Sequence, residues 1–187
     1  MANSPASTTT HPAAGTASGP ALDAERADLL AALAKQRFFL RFTLRGLDDE
    51  QAARRSTVSE LCLGGLVKHV AATEEGWVRF IEAGPAAMAP PADGDYSAYA
   101  DGFRMLEGET VAGLLDRYEE VARRTDELLA TLPDLGADQP LPEAPWFEPG
   151  ARWSARRVFL HLVAETAQHA GHADILREAV DGAKSMG

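Results

Sequence analysis

The sequence predicts an all-α protein, a four-helix bundle with two long crossover loops, and three observations carry that expectation. Apolar residues recur at spacings of three and four along four long segments, the period of an amphipathic helix. No stretch alternates polar and apolar residues for long enough to build a sheet. Two proline-rich connections, 85–101 and 133–153, separate the later segments, and loops of that length are uncommon in a compact domain unless they cross over or cover something.

Each helix has its own signature. The first runs from Leu22 to about Leu47, with Leu29, Leu33, Leu40, Leu44 and Leu47 on one stripe, Gln36 as its polar member and Gly46 as the stop. Residues 47–51 read as a linker or short helical turn. Ser59 is the candidate cap of a second helix that continues to Gly84 through Leu63, Leu66, Val70, Trp77 and Ile81, with Glu74 between Val70 and Trp77 on the same side. The Gly64-Gly65 pair weakens that helix locally by about 1 kcal/mol per glycine, or permits a close contact. A third helix, capped at Asp101, is expected from Phe103 to Leu132 through Leu106, Leu114, Val121 and Leu128. Ser154 caps the fourth, which ends near Asp181-Gly182.

The bulk properties bound the function. A chain of 187 residues suits one domain, taken here as 21–187. The segment 1–20, rich in Ser, Thr, Pro, Gly and Ala, reads as a disordered arm; it lacks the basic start and apolar centre of a signal peptide, and His11 within it is a poor ligand candidate. Lys plus Arg total 18 against 28 Asp plus Glu, a net charge of -10. Such a field disfavours nucleic acid and anionic membranes as partners, and leaves a small-molecule substrate and a homodimer open. No segment approaches the roughly eighteen apolar residues of a membrane helix. The single cysteine, Cys62, excludes an intrachain disulfide and suits a reducing cytoplasm. Cys62 reads as a small buried hydrophobe rather than a nucleophile.

The fourth helix carries the chemistry. At about 100 degrees per residue, Val158, Leu162, Glu165, His169, His172 and Leu176 share one stripe, so ionisable groups occupy the face that packs inward. A buried unpaired carboxylate is costly, whereas a metal ion satisfies it together with imidazoles. Glu165 and His169, four apart, rise from the same face and offer oxygen and nitrogen donors to zinc, nickel, iron or manganese. A third ligand must come from another helix, and His69, bordered by Leu66 and Val70, is the best placed. Three protein ligands leave a position for water or substrate.

Other groups sit around this set. His172 is the candidate catalytic residue, as proton mover or general base; a fourth ligand, hydrogen-bond support for a ligand, and a polar plug paired with Glu74 are its other readings. His161 lies at the edge of the stripe, with direct ligation its lesser reading. Glu74 is placed to orient an imidazole or take a proton, Glu75 to face water, and Asp174 to point away from the stripe. Trp77 reads as core. Trp146, Phe147 and Trp153 either pin the second crossover or wall a pocket.

The segments GLVKHVAATEEGW (65–77) and HLVAETAQHAGHADILRE (161–178) resemble the DinB-like superfamily of metal-binding four-helix bundles, in its actinobacterial branch, over about residues 22–180. The resemblance implies a metal held by His69, Glu165 and His169. Glutamate at 165, where the commoner pattern has histidine, looks like the branch containing mycothiol-dependent maleylpyruvate isomerase, whose N-terminal domain is the nearest likeness. That implies a divalent metal, zinc first, with mycothiol as cosubstrate, and an S-transferase or isomerase acting on small molecules. Since the chain is close to one bundle in length, isomerisation of maleylpyruvate itself is not carried over. A metal-dependent hydrolase and a non-catalytic, metal-stabilised binding protein are the alternatives.

Overall fold

The computed structural model describes residues 22–88 and 97–185. The expected arm at 1–20, with His11, and residues 89–96 of the first crossover lie outside the described residues. The rest is an all-α four-helix bundle, as the sequence predicts. Its long helices are α1 (Ala24–Phe42), α3 (Leu63–Ala83), α5 (Val111–Thr131) and α6 (Ala155–Asp181), joined by short helices α2 (Asp49–Ala53) and α4 (Ser97–Asp101). Helix α1 packs on α6 and more thinly on α5, while α3 packs on α5 and α6. Accordingly α1 and α3 face each other across the bundle diagonal.

Local chemistry sets the ends. Asp23 caps α1 by accepting from the Arg26 amide at 2.9 Å. That helix stops at Phe42, earlier than expected, and Gly46 with φ +69° turns the chain that follows. Asp48 and Gln51 close a capping box around α2. Ser154 caps α6, and Gly182 ends it in the left-handed conformation, both as the sequence predicts.

Two expected starts move. The cap of α3 is Cys62, whose sulfur accepts from the Gly65 amide at 3.4 Å; Ser59 instead takes part in a turn, accepting from the Leu61 amide at 3.2 Å. Helix α5 begins at Val111 under a Thr110 cap, not at Phe103 under Asp101. Residues 103–109 form a strap over the start of α3, and Gly108 at φ +83° breaks any helical path through it. The second crossover contains a three-residue antiparallel ladder of β1 (Asp138–Pro140) and β2 (Arg152–Ser154), pairing Gln139 with Trp153.

The core divides into two apolar clusters. One gathers Leu40, Leu44, Leu66, Val70, Leu114 and Leu176; the other gathers Leu33, Trp77, Phe80, Leu129, Phe159 and Leu162. Between them lies a polar layer. Arg37, rather than the expected Gln36, is the polar member of the α1 stripe, 4% exposed. Its Nη2 and Nε donate to the two carboxylate oxygens of fully buried Glu74 at 2.5 and 3.2 Å, and its Nη1 to Asp126 of α5 at 2.8 Å. Nearby, the buried Tyr118 hydroxyl completes no hydrogen bond among the described residues, and burial followed by the Glu74 carboxylate raises its phenol well above the ordinary value.

Removing one member of a buried pair leaves an uncompensated charge. Glu74→Ala is therefore expected to lower the unfolding free energy by about 3 kcal/mol, while Arg37→Met with Glu74→Leu costs less than that single change. Urea denaturation with an unchanged m-value checks both; a double variant less stable than Glu74→Ala contradicts the account.

Candidate metal centre

Two helices position the donors. Helix α3 presents His69 one turn before Thr73, and α6 presents Glu165 and His169 one turn apart, on the stripe where Leu162 and Leu176 are buried. The packing of α3 on α6 brings the three side chains together, with one donor atom from each within 4.8 Å of the others. His169 Nε2 lies 3.2 Å, and His69 Nε2 3.5 Å, from the same Glu165 oxygen, Oε1. The two imidazoles meet edge to face with centroids 4.9 Å apart.

This donor set fits a divalent transition metal. Bonds of 2.0–2.1 Å in a tetrahedral site separate donors by about 3.3 Å, close to both histidine-to-glutamate distances. One carboxylate and two imidazoles are also the ligand types that such ions accept. Side-chain exposure is 12% for His69, 11% for His169 and 21% for Glu165, so the cluster reaches solvent on the carboxylate side.

The electrostatics follow from the same contacts. His169, then His69, hold the Glu165 carboxyl far below the usual carboxylate range against the opposing effect of burial. Glu165 is thus a charged carboxylate at physiological pH. Its neighbour His161 behaves differently: burial lowers its pKa, with Glu165 opposing and Arg157 assisting.

The remaining sequence candidates occupy defined places. His172 Nδ1 stands 3.4 Å from His169 Nδ1, the ring nitrogen turned away from Glu165. His161 is not in the donor cluster; it rests edge-on against Trp77 and Trp153, which stack at 4.8 Å. Glu74 is engaged by Arg37 and so orients neither His69 nor His172. Glu75 pairs with Arg117 at 2.8 Å near the surface, and Asp174 accepts from the Ser185 amide at 2.6 Å, away from the donors. Cys62 is buried in its capping role. Trp146 is exposed with its ring edge-on to Phe147, and Phe147 in turn packs on Trp153. The second crossover folds around its own hollow of about 430 Å³, lined by residues 141–145 and 147–150 rather than by the donors.

Sequence reasoning missed Phe103. Placed in a helix by its spacing, it sits in the strap with its ring stacked on the His69 imidazole, centroids 4.0 Å apart and planes 23° from parallel. Only the Gly64-Gly65 pair hinted at a close approach there.

A family model described as Mycothiol-S-transferase matches residues 28–182, a span that includes all three donors. The chain belongs to the mycothiol-S-transferase family. No curated protein and no solved structure matches it. Membership agrees with the DinB-like bundle and with a His/Glu/His cluster able to hold a metal, and the match takes in most of α1 and all of α3, the strap, α5 and α6.

A depressed carboxyl pKa contributes stability that is fully present above the unfolded value, 4.5, and is lost as pH falls through the folded value. In metal-free protein the Glu165 carboxyl carbon is accordingly expected to show no titration between pH 7 and 4.5. A carboxyl NMR midpoint at or above the model-peptide value contradicts the geometry described.

Proposed function

We propose that the protein is a divalent-metal-dependent S-transferase that joins a low-molecular-weight thiol of the mycothiol type to an electrophilic small molecule. The observation that supports this reading is the convergence of His69, Glu165 and His169 at a partly exposed point between α3 and α6, in a chain of the mycothiol-S-transferase family. Zinc is the first candidate for the ion, since it accepts mixed nitrogen and oxygen ligands and an open coordination position. The family description favours transfer over the isomerase chemistry of the neighbouring branch.

When bound, such an ion lowers the pKa of a coordinated thiol and supplies the thiolate at neutral pH. The protein's own residues do the rest. Glu165, ionised because two imidazoles hold it so, contributes the negative charge that retains a cation. His69 and His169 offer Nε2 toward the same point. His172, against the far nitrogen of His169, fixes that ring's tautomer by accepting its Nδ1–H, the support that ligand imidazoles commonly receive. Its role is therefore to position His169 rather than to contact the substrate. Trp77, Trp153 and His161 form an apolar wall one turn from Glu165, suited to exclude water from the carboxylate's flank.

Full-length protein purified without a histidine tag is expected to bind one divalent ion per chain, with binding weakened at least about 100-fold in His69→Ala and His169→Ala. Undiminished binding in both variants rejects the ligand set. Cobalt-substituted protein is further expected to change its visible spectrum on addition of mycothiol, and metal-loaded wild type to consume free thiol with a panel of electrophiles faster than His169→Ala. A spectrum insensitive to several small thiols, or hydrolysis independent of thiol, overturns the transferase reading. A thiol-insensitive ion that contributes only to stability instead indicates a metal-stabilised binding protein.

A further inference from the structure

We propose that Phe103 is a positioning residue of the metal centre: its ring, carried on the 103–109 strap and seated against the Gly64-Gly65 pair, fixes the His69 imidazole with Nε2 toward Glu165. The inference rests on the reading of His69 as a ligand given above, and on two observations independent of each other. One is the stack itself, with ring centroids 4.0 Å apart. The other is the way the strap is held.

The strap lies where it does because two glycines follow Leu63 in the first turn of α3. A Cβ on Gly65 would stand 2.0 Å from the Phe103 carbonyl oxygen, and one on Gly64 would stand 2.2 Å from Met105 Sδ. The first clash is with backbone, so any side chain at position 65 must lift the strap. That close approach is then tied at several points. The Cys62 thiol points to the Phe103 carbonyl at 3.8 Å. Lys68, adjacent to His69, donates to the Arg104 carbonyl at 3.4 Å and pairs with Glu109 at 2.7 Å, and Glu109 in turn accepts from the Leu106 amide at 2.7 Å. The helix that supplies the ligand therefore also anchors both ends of the strap.

Histidine has two rotatable bonds, and the largely buried His69 side chain places Nε2 3.5 Å from both Thr73 and Glu165. An aromatic plane laid on one face restricts rotation of the ring without competing for its nitrogens, and aromatic stacking in this range is favourable in itself. Groups that orient metal-ligating imidazoles typically govern affinity by about 10- to 100-fold. The same ring closes one face of the centre, so an incoming substrate must approach from the other.

The test uses the full-length chain with Phe103→Ala, Phe103→Tyr, Gly65→Ala and Met105→Ala, the last of which disturbs the strap's packing while retaining the ring. In metal-free wild type the carbon-bound ring protons of His69 are expected upfield of ordinary histidine positions because of the stacked ring. That displacement is lost in Phe103→Ala, reduced in Gly65→Ala, and kept in Phe103→Tyr and Met105→Ala. Cobalt alone, titrated into the same set, is expected to bind about 10- to 100-fold more weakly to Phe103→Ala, with an altered visible spectrum, and to be restored by Phe103→Tyr. His69 resonances unchanged in Phe103→Ala overturn the stacking. Cobalt affinity and spectrum equal to wild type in Phe103→Ala, or altered as much in Met105→Ala, overturn the positioning role. Wild type that binds no cobalt, yet loses its ring-current shift in Phe103→Ala, removes the metal reading and leaves the fixed orientation of His69 by Phe103 intact.

Discussion

The structure is organised around one costly feature, the layer of charge that crosses the middle of the bundle. Arg37 and Glu74 meet there on diagonally opposed helices that otherwise scarcely touch. A buried ion pair adds little net stability over an apolar pair of the same volume, but half of it left alone is strongly destabilising. Its consequence is registry: α1 and α3 cannot slide past one another without stranding a charge. Leu33 and Leu40 lie one turn either side of Arg37, and Ala71 and Trp77 flank Glu74, so the same pair sets where the two apolar clusters begin and end.

The donor cluster occupies this layer. On α6, Glu165 and His169 fall between Leu162 of one apolar cluster and Ala173 and Leu176 of the other. The ionisable groups near the middle of the bundle thus divide into two systems. Arg37, Glu74 and Asp126 neutralise one another inside, whereas His69, Glu165 and His169 converge where solvent still reaches the carboxylate. Separation of the two matters chemically. With Glu74 engaged by a guanidinium, Glu165 is the carboxylate left to face the imidazoles, and their contacts keep it ionised.

The crossovers finish the centre from two sides. The strap presses on α3 at its glycine pair and lays Phe103 on His69, while the short hairpin carries Trp153 onto Trp77 and His161. Both are irregular segments made rigid by contact with helices, the arrangement in which loop residues can serve a site held on a scaffold. The open groove between α1 and α5, about 1080 Å³ and bordered by Phe38 and Phe42, holds none of the donors. The candidate metal cluster sits on the α3 and α6 side, where the helices are in closer contact.

Much was legible in the residues alone. Periodicity identifies the four long helices, because an amphipathic helix must bury one stripe whatever its partners, and the Ser154 cap and Gly182 stop depend only on neighbouring backbone groups. Glu165 and His169 could be paired from their spacing, since one helical turn makes them neighbours; His69 followed as the inward histidine elsewhere. Contacts between segments were not legible. Whether Gln36 or Arg37 turned inward depended on Glu74 and Asp126 being there to meet it. The spacing of Phe103 and Leu106 favoured a helix that only the close approach to Gly64 and Gly65 replaced with a strap. The place of His161, edge-on to the stacked Trp77 and Trp153, came from side-chain packing across elements. Local sequence determines which face a helix must bury and how it ends, but the partners of Arg37 and the ring that covers His69 are properties of the assembled bundle, because they lie tens of residues away along the chain.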